Sequence, residues 1–329
     1  MVLLGVLMVL VFMLVPRCLL STCGSKPCTL QQPLPKPCPK CISQTFKLTT
    51  VTNAVVNSHR TSSEWEAELL RLMEMNLENG FTIVATANFG HKEFTLNWIT
   101  SLKRNGFHKF LVICFDLNLY TLLVEYGLHE QAVLAPSGWF RAEGIASAEV
   151  LWMSKEYNAL TLAKLQIQRQ LLEHNFPFVF SDVDLVFASP HTVSNIRQQF
   201  GSECTGKNTS SCLTDFAYMV DQDTDINTGF FAVMPTPQIK LAFDNTIKDI
   251  RRWGVDQIAF NYQVRTVMKI KYSRHFKPLD KVLFVNGWGL TQDQINAKLA
   301  ITPLVVHANY VEGKEAKIRM LTSHGYWYL

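Results

Sequence analysis

Residues 176–187 read Phe-Pro-Phe-Val-Phe-Ser-Asp-Val-Asp-Leu-Val-Phe, and this stretch decides the fold. An aromatic and β-branched run reaches Ser181, Asp182 and Asp184 follow two apart, and apolar residues resume at once. The first part has the continuous apolar character of a buried strand. The carboxylates fall where that strand ends, and in an open α/β sheet ligands bind at strand ends. Two carboxylates about 4 Å apart repel by roughly 4 kcal/mol at an effective dielectric near 20. Such a pair calls for a cation, a shared proton or solvent. Hard oxygen ligands at this spacing suit Mg²⁺ or Mn²⁺, which keep positions for water and substrate phosphates. The plain alternative is a solvated turn after a strand, and an isolated Asp-x-Asp carries little weight without its apolar walls.

Working outward, residues 81–87 form a second apolar run ending in Thr86-Ala87-Asn88. Phe94, Trp98 and Leu102 then repeat at helical spacing before Gly106, and residues 110–115 are wholly apolar up to Asp116. Strand, helix and strand with short turns make a βαβ unit with a right-handed crossover. Thr86, Asn88 and Asp116 would gather at one sheet edge, where such a trio reads a nucleoside. Alternatively they cap the adjoining helices. Upstream, Ser63-Glu64-Trp65-Glu66 has capping-box form and opens a helix. Residues 134–154 suggest only a loop or short helix. Residues 158–174 predict a helix with Leu160, Lys164, Ile167 and Leu171 on one face. Lys164 on that face either holds a phosphate oxygen or snorkels to the edge.

Beyond the carboxylate pair, residues 216–220 and 230–234 read as strands flanking Asp221, Asp223 and Asp225. A calcium loop is excluded, because its sixth position is Ile226 and its twelfth is Ala232. The segment instead predicts a hairpin whose polar tip, through Asn227-Thr228-Gly229, meets a hydroxylated ligand. Pro235 and Pro237 open a helix to about Trp253, and Asp256-Gln257 stands at the next helix start, where a carboxylate caps free N–H groups. Residues 303–306 form a short strand closed by His307-Ala308-Asn309, so His307 is a candidate third metal ligand.

The chain has 329 residues, 48% hydrophobic and 18% charged, enough for one α/β domain with appendages. Its formal charge of +4 is mild, and no basic-aromatic stripe marks nucleic-acid binding. Residues 2–15 are uninterrupted apolar sequence, which predicts a signal-anchor or signal peptide over 1–20. The anchor is preferred, since no small-x-small cleavage site follows closely. Five of eight cysteines precede residue 42 among many prolines, giving a Pro/Cys-rich stem over 21–60 and a folded domain over 61–329. Stem disulfides, within or between chains, are favoured over a zinc site there, and a disulfide-linked dimer is permitted. Cys204 and Cys212 flank the sequon Asn208-Thr209-Ser210, which predicts a short disulfide loop bearing a glycan.

Taken together, these segments resemble the GT-A-type nucleotide-diphospho-sugar glycosyltransferases. More narrowly, they resemble the plant and protist retaining α-xylosyl-, galactosyl- and arabinosyltransferases. The resemblance covers about residues 80–325. It rests on Thr86-Ala87-Asn88, Asn97-Trp98, Ser181-Asp182-Val183-Asp184, Asn227-Thr228-Gly229-Phe230, Asp256-Gln257 with Phe260-Asn261, and His307-Ala308-Asn309 leading to Gly313 and Lys317. It implies a Rossmann-like, mostly parallel sheet flanked by helices behind the membrane segment and stem. It also implies that Asp182, Asp184 and His307 hold Mn²⁺, or Mg²⁺, against a donor diphosphate. Thr86, Asn88, Asp116, Lys164, Ser181 and Lys317 would bind the donor, expected to be a UDP-sugar. Asn227 and Gly229 would face sugar and acceptor, and Asp256 and Gln257 would be catalytic, with Asp256 the one candidate nucleophile. The acceptor would be a glycan or glycoprotein, and the setting a type II Golgi membrane enzyme with a lumenal domain, the alternative being a secreted protein. The competing functions are a metal-dependent phosphoester hydrolase, which wants more ligands than the chain offers, and a non-catalytic lumenal binder of the same fold.

Overall fold

The computed structural model describes residues 60–140, 148, 153–204, 209–221 and 224–329. The expected anchor, almost all of the stem, and Asn208 lie outside the described residues. Among those described, no helix is long and apolar enough to cross a membrane.

The chain runs α1 (Ser62–Met75), β1 (Thr82–Ala87), α2 (Lys92–Arg104), β2 (Leu111–Cys114), α3 (Leu117–Glu125), β3 (Ala132–Leu134), α4 (Lys155–Glu173), β4 (Phe178–Ser181) and β5 (Leu185–Phe187). It continues through α5 (Thr192–Phe200), β6 (Phe216–Val220), β7 (Ile226–Val233), α6 (Pro237–Trp253), α7 (Asp256–Tyr262), β8 (Phe276–Pro278), β9 (Phe284–Val285), α8 (Ile295–Leu299), β10 (Val305–His307) and α9 (Lys314–Ser323). Two sheets result: a seven-stranded one ordered β3-β2-β1-β4-β7-β6-β8 and a three-stranded one ordered β5-β10-β9. In the large sheet β1 pairs in parallel with β2 and β4, and β2 with β3. β7 runs antiparallel to both β4 and β6, and β8 returns parallel to β6. The mostly parallel α/β expectation therefore holds.

Both faces of the large sheet are covered, which is why its strands read as continuous apolar runs rather than alternating ones. Phe178 and Phe180 enter a core shared with Leu69 of α1, Ile167 of α4 and Phe243 of α6. Val179, between them, enters the opposite core with Trp98 of α2, Leu123 of α3 and Phe200 of α5. Successive strand residues point to opposite faces, so neither side of β4 is free for solvent. Asp182 lies just past its end.

Several boundaries differ from expectation. The capping box belongs to Thr61 and Glu64, not to Ser63 and Glu66: the Thr61 hydroxyl accepts from the Glu64 N–H, and the Glu64 carboxylate accepts from the Thr61 N–H. Two overlapping Ser/Thr-x-x-Glu registers exist, and the earlier one wins. α4 starts three residues before the expected 158, capped by the Ser154 hydroxyl on the Tyr157 N–H. Asn227, Thr228 and Gly229 are not at a hairpin tip but inside β7: Ile226 already pairs with Val220 of β6, and the Gly229 carbonyl accepts from the Asp182 N–H. The expected disulfide between Cys204 and Cys212 is present, and Cys114 is a buried free thiol.

Candidate active site

Asp182 leaves the end of β4 still tied to the large sheet, its N–H donating to the Gly229 carbonyl at 2.7 Å. Two residues later the chain has changed sheets. The Asp184 carbonyl accepts from the Ala308 N–H at 3.0 Å, and β5 pairs antiparallel with β10 so that Leu185 lies opposite His307. That register brings a histidine from the far end of the sequence to the carboxylates. His307 Nε2 lies 3.3 Å from Asp184 Oδ1. One ligand atom from each of Asp182, Asp184 and His307 falls within 4.8 Å of the others. His307 Nδ1 is buried without a hydrogen-bond partner among the described residues.

Gly229 forms the floor of this cluster. A Cβ there would sit 2.6 Å from Asp182 Oδ2, 2.7 Å from His307 Cε1 and 2.9 Å from Asn227 Oδ1. Asn227 Oδ1 in turn accepts from the Gly229 N–H at 2.8 Å, so Asn227 braces the floor. Ser181 is also internal: its hydroxyl accepts from Trp98 Nε1 at 2.9 Å and donates to the Asp182 carbonyl at 2.9 Å. Through these two bonds Ser181 anchors the strand end.

Two lysines balance the carboxylates. Lys317 of α9 places Nζ 2.5 Å from Asp184 Oδ2. Burial alone would raise the Asp184 carboxyl, but Lys317 and His307 outweigh it and hold the group well below the usual carboxylate range. Asp182 goes the other way: burial raises it, Lys164 opposes, and the neighbouring Asp184 charge adds to the rise. Lys164 is on the inward face of α4, 3.4 Å from Asp182 and 2.7 Å from Asp256 Oδ2, with side chains of Lys164 and Asp256 only 8% and 3% exposed. Burial would depress the Lys164 ammonium, yet Asp182 and Asp256 together push it well above its ordinary value.

Asp256, expected to cap α7 or act as nucleophile, does not cap the helix and is held by other partners. α7 has no side-chain cap; Asp256 Oδ2 takes Lys164 and the Thr228 hydroxyl at 3.2 Å. Gln257 extends the network, accepting from the Thr228 N–H at 3.3 Å and donating to Asp221 Oδ2 at 2.5 Å. Tyr157 is a member that sequence reasoning missed. Burial, then the Asp256 charge, lift its phenol far above the ordinary tyrosine value. Tyr157 and Lys164 are seven apart, two turns along one helix face, which is the signal that would have found it.

At the nucleoside edge, β1 and β2 lie side by side, so Thr86, Asn88 and Asp116 do gather. Their roles separate. Asp116 accepts from the Leu119 N–H at 3.0 Å, capping α3, and from the Phe89 N–H at 2.7 Å. Asn88 meets His91 Nδ1 at 2.5 Å and donates to the Ala148 carbonyl at 3.0 Å. Thr86 is different, its buried hydroxyl oxygen having no partner among the described residues, and a buried hydroxyl without a partner is costly.

Two carboxylates and an imidazole, gathered over a glycine that leaves no room for a Cβ, form a donor set that fits a divalent ion. His307 Nδ1 and the Thr86 hydroxyl, both without a partner among the described residues, lie near the ends of β10 and β1.

Residues 105–321 match the family model described as nucleotide-diphospho-sugar transferase. A UDP-galactose:fucoside alpha-3-galactosyltransferase of Dictyostelium discoideum is 20% identical over 288 residues, covering 75% of this chain and 43% of its own length. Arabinosyltransferase RRA1 of Arabidopsis thaliana is 24% identical over 284 residues, covering 80% of this chain and 67% of its own. The chain thus spans less than half of the first relative. Among solved structures, galactosyltransferase LgtC with donor and acceptor sugar analogues aligns over 74% of this chain and 96% of its own, with a TM-score of 0.45 and 11% identity. A glycosyltransferase that acts in glycosylation of the PBCV-1 major capsid aligns over 73% and 98%, with a TM-score of 0.42 and 12% identity. With the family model spanning well over half of its length, the chain belongs to the nucleotide-diphospho-sugar transferases.

Proposed function

We propose that the protein is a metal-dependent glycosyltransferase that moves a pentose or hexose from a UDP-sugar to a hydroxyl of a glycan or glycoprotein, with retention at the anomeric carbon. The observation that carries this is the convergence of Asp182, Asp184 and His307 from two sheets onto one point beside Lys317. The galactosyl- and arabinosyltransferase relatives support the choice of sugars.

Held by Asp182, Asp184 and His307, the ion would neutralise charge developing on the leaving nucleoside diphosphate. Lys317 brings a second positive charge to the same cluster and stabilises that charge electrostatically. The Thr86 hydroxyl, without a partner among the described residues, would contact the nucleoside. Lys164 is too deeply committed to act as a mobile phosphate ligand; it fixes Asp182 and Asp256 relative to each other. Retention needs a covalent intermediate or attack on the face the diphosphate leaves. The burial and ion pairing of Asp256 favour front-side attack, with the acceptor proton passing to the departing phosphate oxygen. Asp256 and Gln257 then act as positioning residues.

The apolar segment over 1–20, the Pro/Cys-rich stem and the Cys204–Cys212 disulfide support a lumenal catalytic domain on a type II Golgi membrane protein, with the stem cysteines available for a covalent dimer. Calorimetry with UDP, with and without Mn²⁺, tests the proposal. Metal-dependent UDP binding that is lost in Asp184→Ala is the expected result; UDP that fails to bind the folded protein with metal present refutes the donor assignment. Release of UDP and free sugar measured separately then distinguishes transfer, hydrolysis and binding without turnover.

A further inference from the structure

The hydrogen-bond network that starts at the carboxylate cluster does not end at Gln257. Asp221, which accepts from Gln257, also accepts from Asn309 Nδ2 at 3.3 Å and from the Tyr310 hydroxyl at 2.5 Å. Tyr310 is three residues past His307, so the same strand end that delivers the imidazole delivers this ring. Its φ of +63° is unusual for a bulky residue and is fixed by contacts on both sides. Asn309 Oδ1 accepts from the Gly287 N–H at 2.6 Å, and a Cβ on Gly287 would come within 1.9 Å of the Asn309 carbonyl. This tight backbone approach holds the next residue, Trp288, beside Tyr310 with ring centroids 6.2 Å apart at an interplanar angle of 61°. Trp288 remains 49% exposed and Tyr310 37% exposed.

A large aromatic ring left half in solvent, although firmly placed, signals a ligand face more than a folding element. Its surroundings narrow the ligand. Among the described residues the groups around the rings include a carboxylate and amides, groups that bond hydroxyls. An aromatic face with adjacent carboxylate and amide groups suits the C–H face and hydroxyl rim of a sugar ring. We propose that Trp288 and Tyr310 form the acceptor subsite, a stacking platform for one sugar ring of the acceptor glycan, with Asp221 as the positioning residue that ties the platform to the donor site. This deepens the transferase proposal and rests on it.

The test uses the full-length chain loaded with UDP and Mn²⁺, and methyl β-D-galactopyranoside, methyl α-L-fucopyranoside and methyl α-L-arabinofuranoside as probes. Saturation-transfer NMR reads which glycosides bind and which face of the ring is in contact. At least one glycoside should bind wild type through one ring face, with at least tenfold weaker binding to Trp288→Ala. Trp288→Phe, which keeps a smaller face, should recover part of that loss, and Tyr310→Phe should weaken binding several-fold by releasing the ring from Asp221. UDP affinity should stay within twofold in all three, a result a general folding defect would not give. Equal glycoside binding by wild type and Trp288→Ala, or no binding of any of the three to wild type, overturns the platform. Failure of UDP itself to bind wild type would instead overturn the transferase proposal, so the two failures are distinguishable.

Discussion

Gly229→Ala puts the site geometry under the most direct strain. The added methyl would lie 2.6 Å from Asp182 Oδ2, 2.7 Å from His307 Cε1 and 2.9 Å from Asn227 Oδ1, all well inside ordinary contact. The backbone cannot easily retreat, because Gly229 lies in β7 and its carbonyl accepts from Asp182. The side chains must therefore move apart. Overpacking of this kind costs about 1–3 kcal/mol, which for a domain of this size lowers Tm by roughly 2–12 °C. The effect on the ion should be much larger than on the fold. Ligation tolerates departures of only about 0.2 Å, and the carboxylate and imidazole must each yield by more than that. Calorimetric titration of Mn²⁺ and UDP should show at least a tenfold loss of affinity in a variant that still melts cooperatively. Wild-type affinity in folded Gly229→Ala would refute the placement of the ion between Asp182 and His307.

Removing one partner of the buried Lys164–Asp256 pair by Asp256→Ala should cost about 3–5 kcal/mol in urea unfolding, whereas Lys164→Met/Asp256→Leu together should recover most of it; equal losses in single and double variants would argue against the pair. Replacing Cys204 and Cys212 by serine reopens a short loop and should cost about 2–3 kcal/mol, read as a fall in Tm that reductant reproduces in wild type. Burial and the Asp184 charge hold the Asp182 carboxyl above its ordinary value, so its folded state favours the proton. The stability it contributes is present at low pH and lost as pH rises through that raised value, while affinity for Mn²⁺ alone runs oppositely and falls on acidification. Mn²⁺ titrations from pH 7 down to pH 4.5 check this, and an affinity that stays flat contradicts it.

What could be read in advance follows from the range of the forces involved. Burial on both faces of β4 writes itself locally, as Phe178, Val179 and Phe180 with no polar break. The position of Asp182 at the strand end was therefore legible, as was a histidine terminating a late apolar strand. The switch from one sheet to another between Asp182 and Asp184 was not, because it depends on β10 choosing β5 as partner more than a hundred residues away. Asp256 looked like a helix cap since its best partner, Lys164, is distant in sequence. Asn227 to Gly229 looked like a tip because polar side chains dominate there, yet they lie inside β7, past the Val220–Ile226 pair. Asp116 could be either cap or ligand from its surroundings in sequence; in the structure one oxygen caps α3 and the other accepts from the Phe89 N–H.

The passage of the backbone from the large sheet to the small one between Asp182 and Asp184 has a mechanical side. One carboxylate is carried by β4 and β7, the other by β5 and β10, so the gap between them reports the relative position of two separately hydrogen-bonded bodies. A ligand that bridges both carboxylates works as a rivet across a seam. By linkage, whatever grips the seam also protects the small sheet and α9 from opening, and changes far out on either sheet tune the grip without touching it.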